Sequence, residues 1–575
     1  MDAAKFLPTT LAEAAKRGWH ELDVVIISGD AYVDHPSFGT AVIGRTLEAA
    51  GFRVGILPQP DIGRPDDFRA LGRPRLFFAI APGNVDSCLL KYTALKRVRN
   101  DDPYTPGGGA TKRPKRAAIA YTAAARHAIP GVPVVIGGIE CSTRRLIHYD
   151  YWDDALRRSI LLDSKADILV YGMGERQVVE IARRLDRGDV LDGIPGTVRI
   201  MKAKPDTAIE LPSFENCRDD KGAFVEHFRI LDASGDETLA EPSLGRWVVQ
   251  NPPWAAMSTG ELDAVYELPY ARAAHPRHMA AGGVPALSTV ETSIVSHRGC
   301  FACCSFCALG AHQGREIVFR SIPSILREVE AIKRTPAFHG TISDVGGPSA
   351  NMFGMTCRKG GCRSRRCLSR KACPFLDTNH DSYIALLEAV AAAPGVRHVF
   401  VGSGIRYDLL MTQNDEVLEK IVGRFTGGQL KVAPEHCAES VLKYMEKPEW
   451  REYLRFRDRF YRIAARLGLR RHLIPYLITS HPGATLRDEE ELLGEMRRLG
   501  FVPEQVQDFI PLPMTLSSVM FHTGIDPRTG QSLPVATSRE EKERHFAVMR
   551  PREEKYRSRE GQPPQKSAGR RKRRG

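Results

Sequence analysis

Cys300, Cys304 and Cys307 stand in a C-x3-C-x2-C run within the stretch Arg298-Gly-Cys-Phe-Ala-Cys-Cys-Ser-Phe-Cys-Ala308. Three thiolates at that spacing can wrap one face of a cubane iron–sulfur cluster, whose sites demand soft, deprotonated sulfur. A cubane held only by protein takes four such ligands, so a loop that supplies three leaves one iron open for another molecule. Cys303 allows a second reading, because Cys300 and Cys303 also make a C-x2-C zinc half-site. A third is that these are reduced thiols packed in a core, since free Cys behaves as a small hydrophobe.

A second group follows. Cys357, Cys362, Cys367 and Cys373 are spaced C-x4-C-x4-C-x5-C, and the segment between them carries five Arg and two Lys. Four thiols can close a tetrahedral zinc site or hold an auxiliary 4Fe-4S cluster, or they can bind no stable metal. The gaps differ from the paired C-x2-C knuckles of a zinc ribbon, so spacing does not choose among these. In a metal site the Arg and Lys would partly offset the thiolate charge. The segment also reads as a lid over a substrate pocket.

These groups must be positioned by a large chain. At 575 residues it exceeds one hydrophobic core and divides into about three or four domain-sized pieces. A hydrophobic content of 42% with 26% charged residues excludes a fibrous or wholly disordered chain. No apolar run of about 18 residues occurs, so neither a membrane span nor a membrane partner is expected. The opening residues lack an apolar h-region, which points to the cytoplasm. There the twelve cysteines stay reduced, and clusters of them read as metal ligands rather than disulfides. The net charge of +13 suggests nucleic acid until it is located: residues 549–575 hold eleven Lys and Arg against three Glu. The segment at 546–575, poor in apolar residues, is expected to be a disordered basic tail. It either contacts RNA or the ribosome through their phosphates or simply aids solubility.

Residues 1–200 read as one α/β unit. Runs at 23–28, 53–57, 75–81, 132–136 and 168–171 have strand length and alternate with helix-like segments. That is the rhythm of βαβ crossovers in a doubly wound parallel sheet, whose ligands sit beyond the strands' carboxyl ends. Two loops there, Gly137-Gly-Ile-Glu-Cys-Ser142 and Tyr171-Gly-Met-Gly-Glu175, either admit the close approach of a ligand or partner or simply make turns. Residues 103–116, with three consecutive glycines and Lys112-Arg-Pro-Lys-Arg116, read as a mobile surface loop. Residues 201–285, rich in Pro and aromatics, read as a connector strap packed on a domain. From 286 to 545 the alternation returns, with strands at 289–295, 340–344, 396–401, 429–433, 472–478 and 505–510 and the Cys-rich insertion at 355–375. Chemistry in barrels of such units gathers at the strands' carboxyl ends.

At Cys300, Cys304, Phe306 and Cys307 the chain resembles the radical S-adenosylmethionine (SAM) superfamily. From the strap residues Val249-Gln-Asn-Pro-Pro-Trp254, Arg272 and His275-Pro276 through 545 it is similar to the YgiQ-type radical SAM family. The N-terminal unit fits that family as well. The resemblance implies a radical SAM partial (β/α)6 barrel behind a Rossmann-like, cobalamin-domain-like unit. It implies a 4Fe-4S cluster on Cys300, Cys304 and Cys307 and an exchangeable SAM on the open iron. An electron from a flavodoxin- or ferredoxin-like donor would then break a sulfonium C–S bond and release a 5′-deoxyadenosyl radical for reaction on a substrate that no residue identifies. SAM contacts implied in the same way are Phe306, Gly346 and Gly347 of Gly346-Gly-Pro348, Ser403, Glu435 and Tyr476. In the cobalamin motif D-x-H-x-x-G, Asp34 and Gly39 match, but Pro36 takes the histidine's place and His35 comes one position early. Cobalamin is therefore not expected. The rival reading is a non-catalytic iron–sulfur or zinc protein, an electron carrier or RNA-binding module. A carrier would fill its cluster with four protein ligands and would not need so many post-strand loops.

Overall fold

Val24 and Ile26 point to one face of a short strand and Val25 and Ile27 to the other, so that strand demands cover on both sides. In the computed structural model, which describes residues 3–110, 112–362, 365–501 and 505–549, it receives both. The strand is β1 (Val24–Ser28), followed by β2 (Val54–Pro58), β3 (Phe77–Ala81), β4 (Val134–Ile136), β5 (Ile168–Val170) and β6 (Thr197–Met201). Then come β7 (Ile209–Glu210), β8 (Leu239–Ser243) and β9 (Arg246–Gln250). They form one nine-stranded sheet in the order β7-β8-β9-β6-β5-β4-β3-β1-β2. The run β2-β1-β3-β4-β5 is parallel throughout. Helices α1 (Gly39–Ala49) and α3 (Glu175–Arg187) pack on the face of Val24 and Ile26. Helix α2 (Ala117–Ala128) covers Val25, Ile27 and Phe78 on the other.

Two sequence expectations change here. Strands β7, β8 and β9 lie in residues read as connector, so the sheet runs on to Gln250. The missed signal is a tight hairpin: Leu244 and Gly245 take φ of 54° and 71°, the left-handed pair that a two-residue loop between twisted strands requires. The strap proper comes after. Its helix α4 (Thr259–Tyr266), with a capping box between Ser258 and Glu261, packs Leu262 and Val265 against Val42 of α1. Ala273 and Ala274 add an antiparallel bridge to Asp34 and Val33.

The second change concerns residues 103–116. Arg113 is 2% exposed and plugs the crevice beyond β1 and β3. Its guanidinium donates to Asp30 (2.7 Å), Asp102 (2.8 Å) and the Pro82 carbonyl (2.9 Å). A run of Gly and cationic residues resembles a solvated loop in composition, but the buried carboxylates of distant Asp30 and adjoining Asp102 hold it down.

The second unit has the expected barrel order. Its strands are β10 (Ser293–Val295), β11 (Thr341–Ile342), β12 (Asp344–Gly346), β13 (His398–Val399), β14 (Gln429–Glu435), β15 (His472–Thr479) and β16 (Gln505–Asp508). Pairing is parallel from β10 to β12, from β11 to β13, from β14 to β15 and from β15 to β16. β11 and β12 are two pieces of one run, and a parallel bridge from Ile405 to Val432 joins the two halves. Helices α5 (Ile322–Lys333), α6 (Asp381–Ala392), α7 (Asp415–Gly423), α8 (Trp450–Arg466) and α9 (Leu486–Arg498) cover the strands through one core.

The basic-tail expectation is shortened at its start. Helix α10 (Arg539–Met549) lies across α9 and buries polar side chains as partners. Its His545 Nδ1 is 3.1 Å from Glu489, and its Lys542 Nζ is 3.2 Å from Asp508. Few apolar residues were needed because charges make the contact. Residues 550–575, with the expected disorder and RNA contact, lie outside the described residues. Among the described residues no helix is long and apolar enough to cross a membrane.

Candidate active site

A cavity of about 860 Å³ lies between the barrel mouth and the N-terminal unit. The barrel contributes Cys300, Cys304, Cys307, Phe306, Arg406 and Glu435 to its wall, and the other side contributes Arg145, Tyr171, Gly172, Met173 and Trp254.

The cysteine loop starts at the end of β10. Gly299 has φ +82°, and a Cβ there would sit 1.7 Å from the Glu316 carbonyl oxygen, so the turn requires glycine. The loop closes on itself: the Cys300 N–H donates to the Gly314 carbonyl (3.3 Å) and the Cys307 N–H to the Cys304 carbonyl (3.1 Å). Burial pushes the Cys300 thiol up to about 11, with Cys304 adding to the effect. Burial and Cys304 likewise push Cys307 up to about 12. Cys307 is exposed only in the sense that it opens onto the cavity wall. Arg406 places Nη1 3.8 Å from the Cys304 sulfur. Asp408 orients that guanidinium through bonds of 2.8 and 2.7 Å. Among the described residues no three Cys, His, Asp or Glu side chains converge on a single ion position. Three soft thiols on the wall of one cavity, with a guanidinium beside them, are a donor set that fits a cluster of net negative charge.

Other expected residues divide into wall and backing. Phe306 lines the cavity, its ring edge-on to His481 at 6.1 Å. Glu435 also reaches the wall, in a left-handed conformation (φ 68°). Burial raises its carboxyl, and Lys447, with Nζ 3.5 Å away and itself buried, opposes the rise. Gly346 and Gly347 stand one step behind the wall, where Pro348 and Ser349 form the surface. A Cβ on Gly347 would meet the His297 ring at 2.6 Å, and one on Gly346 would meet the Ser403 hydroxyl at 2.8 Å. Their small size therefore serves packing, Gly347 against His297 just before the cysteine loop and Gly346 against Ser403. Ser403 is backing as well, its N–H and hydroxyl both donating to Asp344. Tyr476 lies on the face of β15 opposite Leu477 and outside the cavity wall.

The glycine loops of the N-terminal unit form the seam. Glu175 pairs with Arg298 of the cysteine loop at 2.5 Å, both side chains buried, while Tyr266 accepts from Arg298 Nε at 3.1 Å. The Ser142 hydroxyl bonds His312 (2.9 Å) and accepts from the Gly172 N–H (3.1 Å). Lys447 and Arg145 carry no local sequence signal of a site. They are charged residues outside any motif, and only their burial beside the cavity singles them out. The Cys-rich insertion reaches the same wall through Arg365 and Arg366. In the Asp34–Gly39 stretch, His35 is fully buried and Asp34 is paired with Arg45.

The chain matches the Radical SAM N-terminal family model over residues 6–293 and a domain of unknown function over 504–556. It is 47% identical to a UPF0313 protein of Methanocella arvoryzae over 94% of this chain and 92% of that one. It is also 47% identical to a UPF0313 protein of Geobacter sulfurreducens over 95% and 92%. Among solved structures it is similar to the radical SAM methyltransferase TsrM of Kitasatospora setae with cobalamin and a [4Fe-4S] cluster bound. That likeness has a TM-score of 0.50 at 14% identity, over 86% of this chain and 77% of that one, and is one of fold. The expectation against cobalamin rests on residues 34–39 alone and gains nothing from this neighbour. With relatives this similar along nearly its whole length and a family model spanning half of it, the chain belongs to the UPF0313 family of radical SAM proteins.

Proposed function

We propose that the chain is a radical SAM enzyme whose 4Fe-4S cluster is held by Cys300, Cys304 and Cys307, with SAM as its exchangeable partner. The observation that carries this reading is the meeting of all three thiols on the wall of one cavity between the two units. When bound, the cluster and SAM supply reductive cleavage of a sulfonium C–S bond and so a primary carbon radical, with the electron coming from a flavodoxin- or ferredoxin-like donor. The protein's own residues do the rest. Arg406, fixed by Asp408, sets a positive charge 3.8 Å from the Cys304 sulfur. Glu435 and Lys447 offer an acceptor and a donor inside the cavity for the polar groups of SAM or substrate. The Arg298–Glu175 pair fastens the cysteine loop to the opposite unit and so holds the two walls of the cavity together. The reading is tested by reconstituting the protein without oxygen, reducing it, adding SAM and measuring 5′-deoxyadenosine by mass spectrometry. Product from the wild type and none from Cys304→Ala is the expected result. Equal product from both would overturn the reading.

A further inference from the structure

The insertion gathers its thiols. An antiparallel bridge pairs Cys357 with Leu376, and the Cys373 N–H donates to the Cys367 carbonyl at 2.8 Å. Tight turns follow two of the cysteines: the Gly360 N–H returns to the Cys357 carbonyl (2.9 Å) and the Leu376 N–H to the Cys373 carbonyl (3.0 Å). Gly360 and Gly361, at φ 71° and 117°, carry the first turn round to Cys362. Three of the four, Cys357, Cys362 and Cys367, line a separate cavity of about 410 Å³.

Core packing does not account for this arrangement. A free Cys kept for packing is buried, whereas Cys362 is exposed and Cys357 and Cys373 are half-buried. The described residues of the insertion are also tied to their neighbours. Arg365 pairs with Asp236 (2.7 Å), Arg366 with Asp232 (3.2 Å) and Arg370 with Glu439 (2.6 Å). Leu368 is stitched to the first cysteine loop, accepting from the Cys303 N–H (2.8 Å) and donating to the Phe301 carbonyl (3.1 Å).

We infer that Cys357, Cys362, Cys367 and Cys373 hold a second iron–sulfur cluster of the 4Fe-4S type, fully ligated by protein and set against the loop that carries Cys300, Cys304 and Cys307. Four thiols are the complement of such a cluster. Cys357, Cys362 and Cys367 line a cavity of about 410 Å³, which has room for a cubane and not merely for a lone ion. Arg315 and Arg365, on the wall of the same cavity, would offset part of the thiolate charge. The inference rests on the first cluster only in using it as a reference.

The test is iron, sulfide and zinc analysis of the full chain reconstituted with iron and sulfide without oxygen. It runs beside a Cys300→Ala/Cys304→Ala/Cys307→Ala variant and a Cys357→Ser/Cys367→Ser variant. Two clusters predict about eight iron and eight sulfide in the wild type and about four of each in either variant. About four iron in the wild type, all lost with the triad, overturns the second cluster and leaves the proposed function standing. One zinc per chain, kept in the triad variant and lost in the other, also overturns it. No loss of iron in the triad variant would count against the proposed function instead. Should a variant fail to fold, EPR of the reduced wild type decides. Two cluster signals, only one of which changes on adding SAM, support the inference, and a single signal overturns it.

Discussion

Both halves of the molecule are built of parallel β/α units, and both offer a mouth at their strands' carboxyl ends, yet only one mouth is open. Beyond β1 and β3 the crevice is filled by Arg113, clamped between Asp30 and Asp102. Close approach is built into that plug: a Cβ on Gly29 would lie 1.8 Å from the Pro82 carbonyl oxygen. At the barrel mouth the corresponding space is a cavity walled by thiols, Arg406 and Glu435. The fold offers the same kind of place twice, and the side chains decide whether it holds a ligand or the protein's own ion pairs.

The largest effect expected from this contrast is at the plug. Arg113→Ala strands two buried carboxylates and should lower stability by about 3–5 kcal/mol, read by urea unfolding. A small effect would mean that the crevice is wet and available. At the open mouth, Arg406→Met removes the charge facing Cys304 while leaving the stem. A charge-assisted contact of about 1.5–3 kcal/mol corresponds to a loss of SAM cleavage of about tenfold or more. Asp408 loses its partner too, so stability also falls, and Arg406→Met/Asp408→Asn should restore stability without restoring cleavage. Recovery of both together would make Arg406 a packing residue like Arg113.

Burial also predicts a pH effect at the barrel mouth. His481 is buried beneath the cysteine loop, bonded to Ser517 at 2.7 Å, which in turn donates to Ser305 at 2.7 Å. Burial lowers its value from 6.5 to about 3. The folded state therefore resists a proton that the unfolded chain accepts. The neutral ring's contribution is whole above about 6.5 and falls away as pH drops toward about 3, at no more than about 1.4 kcal/mol per pH unit. Replacing it by Gln should flatten the acid limb of stability in that window. An unchanged limb would show that water reaches the ring. Least of all, Tyr476→Phe should leave SAM cleavage within about twofold, since the ring lies outside the cavity wall. A change of stability within about 0.5 kcal/mol is expected of such a substitution. A tenfold loss would place Tyr476 in the mouth after all.

How much of this was legible along the chain depends on distance. The strands of both units were readable because apolar runs and helix-length spacers are local. The hairpin at Leu244 and Gly245 was missed because its left-handed pair leaves only one glycine as a mark. Helix α10 was missed because composition alone cannot tell that Lys542 and His545 find Asp508 and Glu489. Of the expected SAM contacts, Phe306 and Glu435 reach the wall, whereas Gly346, Gly347 and Ser403 stand behind it.

The spacing of Cys300, Cys304 and Cys307 brought three thiols into one place, because eight residues of one loop carry them and a loop that short needs no distant partner. Folding settled everything that joins far segments. Glu175 meets Arg298, Arg113 meets Asp30, and Leu368 meets the cysteine loop. Each contact depends on burial, where an unpaired charge or backbone group is expensive and must find a partner wherever the chain brings one. That demand carries no periodicity and leaves no motif, so it is written in the packed structure and not in the order of residues.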